Sequence, residues 1–396
     1  MYIREEPQDN GSFRKVADDR MNTMKNELFA DVKINTTRQP ELDVAKALPI
    51  LCLPFVHVII ECTSEEGLLH GIPFLFDAII GAPFSAPMFM FAMGIGIAYT
   101  SVRIYTSPAK RFLKLMAVGY ALNICRFLIP YLLGYALTKD TAQYIEPLWY
   151  KVFGNDILQF APLALLAMGL FFRMKMSKTS MFVTALAMSL VGWMLNGTDF
   201  HNPALNIFMG NFIGTEQADG LLISDWPLLN WLIIPVCGYI FGEYLLRVKD
   251  KKKFYLWLMP ILLVPLIYFP LAIHYETGMF MPGENAYYHA VTYELLVYIC
   301  LSAGLLGVYY FLLRYIPERL MRFFEMISRN ITAFYCIHWV LISFSVSVFL
   351  YIKNGTQELP VSGSLFLSFV ICVLTAVIIH IRDKNRKKGM KADEKQ

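Results

Sequence analysis

Runs of about twenty mostly apolar residues, long enough to cross the hydrocarbon core of a bilayer as a helix, recur along this chain. Ten such blocks fall near residues 44–62, 77–101, 112–137, 154–173, 179–196, 228–246, 254–273, 291–313, 326–351 and 362–381. Backbone N–H and C=O groups in lipid must be satisfied within their own segment, so each block has to be helical. The expected fold is all-α and polytopic, a bundle of about ten transmembrane helices. Composition agrees: 56% hydrophobic against 17% charged residues is far from a soluble domain.

Lysine and arginine accumulate on cytoplasmic flanks, and here they alternate. Arg103, Lys110, Arg111 and Lys114 lie in one connection, Arg173, Lys175 and Lys178 in a second, Arg247, Lys249 and Lys251 to Lys253 in a third, and Arg314, Arg319, Arg322 and Arg329 in a fourth. The intervening connections carry only Lys139, Lys151 and Lys353, and the long one over 197–227 has four acids and no basic residue. Both termini are therefore expected in the cytoplasm, in a plasma (inner) membrane protein. A polar cytoplasmic tail is expected over 1–37, one membrane domain over 38–382 and a basic cytoplasmic tail over 383–396. The tail over 1–37 lacks the apolar core of a cleaved signal peptide, so the first span is expected to serve as the insertion signal.

The net charge of +4 is explained by these clusters beside spans, and membrane lipid rather than nucleic acid is the expected surroundings. The seven cysteines lie in or beside spans without C-x-x-C spacing, so neither disulfides nor a metal site is expected.

Polar residues inside apolar blocks carry the functional information, because a charge there costs about 2.5–3.5 kcal/mol on insertion scales and has to face protein or water. Asp43 opens the first block and His57 follows fourteen residues later, about 21 Å further along a helix. Glu61, Glu65, Glu66 and His70 follow in the next connection, and Asp77 opens the second block. Asn123 and Arg126 lie within the third block, Asp156 and Gln159 at the start of the fourth, and His338 deep in the ninth. Asp156 is the nearest acid by depth to pair with Arg126. Plainer readings exist for each: a membrane histidine can simply tie two helices together, and Arg126 with Asp156 can be a structural pair.

Taken together the pieces resemble a known group. "ELDVAKALPILCLPFVH", with Asp43, Lys46 and His57 in register, resembles the first span of the transmembrane acyltransferases, both the acyltransferase-3 and the heparan-α-glucosaminide N-acetyltransferase families. "GAPFSAPMFMFAMGIGIAY" is similar to the second span of the N-acetyltransferase branch through Pro87, Phe89, Phe91, Met93 and Gly94. "NDILQFAPLALL" resembles its fourth-span opening, and "SRNITAFYCIHWVLI" its late element through Asn330, Thr332, Tyr335 and His338. The resemblance covers residues 38 to about 345. Lys46 stands where the family usually has arginine. The N-acetyltransferase branch also places its proposed catalytic histidine in the first external loop, where this chain offers His70.

The resemblance implies an integral membrane O- or N-acetyltransferase, moving an acyl group from cytoplasmic acyl-CoA, expected to be acetyl-CoA, to a hydroxyl or amine of an extracytoplasmic glycan or lipid-linked sugar. A histidine, with an ordinary pKa near 6.5, suits removal of the acceptor's proton. His57 is favoured over His70 for that role because its spacing from Asp43 matches without a gap. Glu61 and Asp77 are alternative candidates to orient the base, and Asp43 is counted with the catalytic residues. Asn123, Arg126, Asp156, Gln159 and His338 are candidates for oxyanion stabilisation or substrate positioning. Lys46, Lys110, Arg111 and Lys114 are candidates for the coenzyme's phosphates. A homo-oligomer is left open. The competing reading is a secondary transporter or proton-coupled permease, with the buried His, Asp and Arg residues as a proton or substrate path.

Overall fold

The computed structural model describes residues 27–100, 108–216, 224–281 and 287–393. All ten apolar blocks are helical. Among the described residues, eight helices are long and apolar enough to cross a membrane: α1 (Pro40–Cys62), α2 (Gly71–Tyr99), α3 (Phe112–Thr138), then, after two shorter ones, α6 (Leu228–Leu245), α7 (Lys251–Phe280), α8 (Thr292–Tyr315), α9 (Ile331–Asn354) and α10 (Val361–Arg386). The shorter pair, α4 (Ile157–Arg173) and α5 (Lys178–Met194), have 17 residues each. Both begin on a side-chain cap: Asp156 accepts from Ile157 N–H, and Ser177 accepts from Ser180 N–H at 3.0 Å. Each cap fixes the start of its helix by satisfying a backbone N–H of the first turn. No regular strand forms among the described residues, only three isolated bridges.

The spans are not equivalent. In the most apolar stretch of α2 and of α6, 67% of residues are buried, against 11% for α7, so α2 and α6 are central and α7 faces outward. The α2–α6 contact is backbone on backbone. A Cβ on Gly238 would lie 2.1 Å from the Phe91 carbonyl oxygen, and one on Gly94 would lie 2.1 Å from that of Pro235. Gly238 and Gly242 form the small-xxx-small spacing that lets membrane helices approach this closely.

One end of the bundle is laced by ion pairs. Arg38 donates to both carboxylate oxygens of Asp43, at 2.5 and 2.8 Å, and Ser328 adds a third bond to it at 2.7 Å. Lys251 and Tyr255 reach Glu41 at 2.7 and 3.1 Å, and Lys33 and Arg247 both reach Glu243. Residues 28–35 run beside the end of α6, with Ala30 N–H on Arg247 O and Lys249 N–H on Leu28 O. This is the basic end. Residues 1–26 of the polar tail lie outside the described residues. The helix Glu318–Arg329 also lies here, burying Phe324, Met326, Ile327 and Ser328 with Arg319 and Arg322 on its outer side. It breaks at Asn330, so the ninth apolar block is two helices.

The opposite, distal end is closed by connections knitted through amides. Asn196 donates to the His289 carbonyl, Asn230 to Asn196 and Ala290, and Asn155 to Gly210 and Trp226. Cys62 O accepts from Leu359 N–H, which joins the end of α1 to the start of α10 at this same end.

Candidate functional site

Arg126 sits where α3 departs from regular α-helix: residues Ile124–Leu128 form a π turn, which Pro130 follows. A widened turn swings side chains off the ordinary helical register, and such turns recur at functional sites. Here it buries the guanidinium, which forms an ion pair with Asp156 at 2.8 Å, both residues being no more than 6% exposed. Asp156 is the N-cap of α4, and Gln159 completes a capping box by accepting from Asp156 N–H at 3.2 Å. Tyr335 of α9 donates to Asp156, 2.8 and 3.0 Å from its two oxygens. Ser343 of α9 donates to the Arg126 carbonyl. Nη1 of Arg126 faces Asp156, while Nε has no hydrogen-bond partner, so the guanidinium keeps donor capacity there.

Trp339 joins this pair to the histidines. The guanidinium carbon of Arg126 stands 4.4 Å from its ring centre, and the His57 ring lies 4.1 Å from it. His57 also stacks on His338 at 5.5 Å with an interplanar angle of 16°. His338 is fully buried, with Nδ1 3.0 Å from the Phe334 carbonyl. A carbonyl only accepts, so Nδ1 carries the hydrogen and Nε2 carries a lone pair. Nε2 of both His338 and His57 is buried without a protein partner. Three helices, α1, α3 and α9, thus converge with the start of α4 on two neutral-capable imidazoles beside a buried cation.

The other sequence candidates distribute around this centre. Asp43 does not join it. It lies on α1 fourteen residues before His57, about 21 Å away along the helix, and its carboxylate is taken up by Arg38 and Ser328 at the basic end. Lys46, half-buried, belongs to that end as well. His70 is exposed and precedes the short helix Gly71–Phe74 without capping it. Asp77 is half-buried on a second π turn, Leu75–Gly81, within electrostatic range of Tyr287 and Tyr288. Asn123 spends its amide on the carbonyls of Val152 and Gly154, at 3.0 and 3.2 Å, tying α3 to the connection before α4. Gln159 keeps an unpartnered Nε2. Lys114 is exposed near the start of α3, and the side chains of Lys110 and Arg111 lie outside the described residues.

Two further groups were not singled out from the sequence. Trp339 reads as one more apolar residue after His338. Asp225 falls in the acid-rich connection before α6, and no local spacing marks it. It is half-buried, and burial together with the negative charge of Asp156 pushes its carboxyl up to about 7, against the opposing pull of Arg126 and Lys151.

The sequence model of the heparan-alpha-glucosaminide N-acetyltransferase catalytic region matches residues 38–270, more than half of the 396-residue chain. The chain belongs to that family. Its members are membrane enzymes that take the acetyl group from acetyl-CoA, so the permease reading gives way to an acetyltransferase. No curated protein matches the chain. The matched region contains His57, Asp77, Arg126, Asp156 and Asp225, while Tyr335, His338 and Trp339 come from α9, beyond it.

Proposed function

We propose that this chain moves an acetyl group from acetyl-CoA to an amine or hydroxyl of a glycan or lipid-linked sugar on the extracytoplasmic side of the plasma membrane. In this reading the basic end faces the cytoplasm and meets the donor's phosphates through Lys46, Lys110, Arg111 and Lys114. The acceptor enters at the distal end. The observation that carries the reading is the His57–His338 pair, two stacked imidazoles whose Nε2 atoms have no protein partner, set beside the Arg126 guanidinium.

The chemistry follows from those groups. The acceptor's lone pair attacks the thioester carbonyl while its proton passes to an imidazole Nε2. The carbonyl electrons move onto oxygen, where the Arg126 donors stabilise the charge. Collapse restores the carbonyl and breaks the carbon–sulfur bond, and the thiolate leaves with the proton returned by the imidazolium. Asp156 and Tyr335 hold Arg126 in place through this cycle.

Purified protein in lipid nanodiscs, given radiolabelled acetyl-CoA, should transfer label to an amino sugar such as glucosamine or to a hydroxyl-bearing glycan, and should release free coenzyme A in step. Label that stays on acetyl-CoA with every acceptor would refute the reading.

A further inference from the structure

The segment Ser224–Trp226 lies outside the machinery above but is fastened to it. Asn155 immediately precedes Asp156. Its Oδ1 accepts from Trp226 N–H at 2.9 Å, and its Nδ2 donates to the carbonyls of Trp226 at 3.0 Å and Gly210 at 3.2 Å. Its backbone pairs with Ser224 in a parallel bridge. On the other side, Ser224 Oγ accepts from Thr215 N–H at 3.1 Å and lies 3.3 Å from His289 Nε2. Trp226 packs its ring against Trp231, Tyr287 and Tyr288 at 4.7, 5.5 and 5.2 Å. With both neighbours clamped to the residue before Asp156, Asp225 is brought beside the Arg126–Asp156 pair.

The charged and titratable groups that face Asp225 are Asp156 at the start of α4, Arg126 on α3, Lys151 in the connection between them and Tyr288 before α8. One guanidinium therefore acts on two carboxyl groups, on Asp156 by direct contact at 2.8 Å and on Asp225 through its charge. Like charges held close do not both ionise freely. Asp156 has Arg126 at 2.8 Å and the Tyr335 hydroxyl as direct partners, whereas burial and the neighbouring Asp156 charge favour the neutral form of Asp225.

We propose that Asp225 is a positioning residue for acetyl transfer: as a neutral acid it leaves the positive charge of Arg126 to the reaction's developing oxyanion, and as a carboxylate its own charge offsets that cation. The inference rests on the acetyltransferase reading. Its sign is definite. Burial pushes the Asp225 carboxyl up to about 7, so the favourable protonated form prevails on the acid side and is lost as pH rises through that value. Lys151 favours the carboxylate, so removing it should move the transition upward.

The test is the pH–rate profile of the full chain in nanodiscs, acetyl-CoA to glucosamine, with an infrared titration of the protonated carboxyl stretch alongside. Wild-type rate should fall about tenfold from roughly pH 6 to roughly pH 8 through this group alone. In Asp225→Asn the alkaline fall and the infrared band should both vanish, so its rate relative to wild type climbs about tenfold over the same interval. Lys151→Gln, at an exposed position, should shift the fall to higher pH. Uniform loss in Asp225→Asn at every pH, which a purely structural role would cause, overturns the proposal. If Asp225→Asn does not fold, an unshifted fall in Lys151→Gln overturns it instead. An active wild-type enzyme without the infrared band overturns it while sparing the acetyltransferase reading, whereas absence of transfer at any pH overturns both.

Discussion

The tautomer of His338 is set by its own helix: the Phe334 carbonyl one turn earlier takes the Nδ1 hydrogen at 3.0 Å. That leaves Nε2 as the lone pair, the arrangement a general base needs, and stacks it against His57. Loss of a general base costs about 10²- to 10⁴-fold in rate, and asparagine keeps a polar group without a usable pKa. His57→Asn and His338→Asn are therefore expected to lose about 10²-fold or more in acetyl transfer while still binding acetyl-CoA in calorimetry. His70→Ala, at an exposed position, should keep at least about a tenth of the rate. A dead His70→Ala beside two active variants would hand the role to the loop histidine. His57, Arg126, Asp156 and His338 stood out in the sequence because a charged or titratable group in an apolar run is expensive and needs a reason. Trp339 did not stand out, since an aromatic residue in a membrane helix costs nothing there and its contacts with Arg126 and His57 come from two other helices.

Elements place these residues through departures from regular helix. Asp77 and Arg126 both sit on π turns, and Asp156 sits at a capping box. The cap was open to reading in "NDILQ", because Asp and Gln three apart before an apolar run is a helix start. The π turns were not, because the extra residue is accommodated by neighbouring helices rather than announced by composition. The α2–α6 contact is the element-level feature most exposed to test. Gly238→Val would drive a side chain into the Phe91 carbonyl, and forced overpacking costs about 1–3 kcal/mol or more. It should lower the thermal unfolding temperature in detergent and reduce expression. Gly96→Val, where an added Cβ meets nothing within 4 Å, should be close to neutral. Equal loss in both would mean that the glycines act through helix propensity and not through helix contact.

At the scale of the whole molecule the basic residues gather where the termini of α1, α6 and α9 meet, and the amide-laced connections gather at the other end. A reporter fused after residue 215 is expected outside and one after residue 250 inside; both on one side would refute the proposed orientation. The sequence alone determined that the chain is a membrane bundle of ten apolar helical blocks, and roughly how deep each polar residue lies. Hydrocarbon thickness and the need to satisfy backbone hydrogen bonds act on each segment separately, so they leave a one-dimensional record. It also brought Arg126 and Asp156 together, because depth is enough to match one buried cation with one acid. Only the tertiary structure decided that Asp43 is spent on Arg38 and Ser328, that His57 meets His338 and not His70, and that Asn155 ties down both neighbours of Asp225, next to Asp156. The rotation of a helix about its axis and the choice of its neighbours are set by packing against the other spans, and no single span records them.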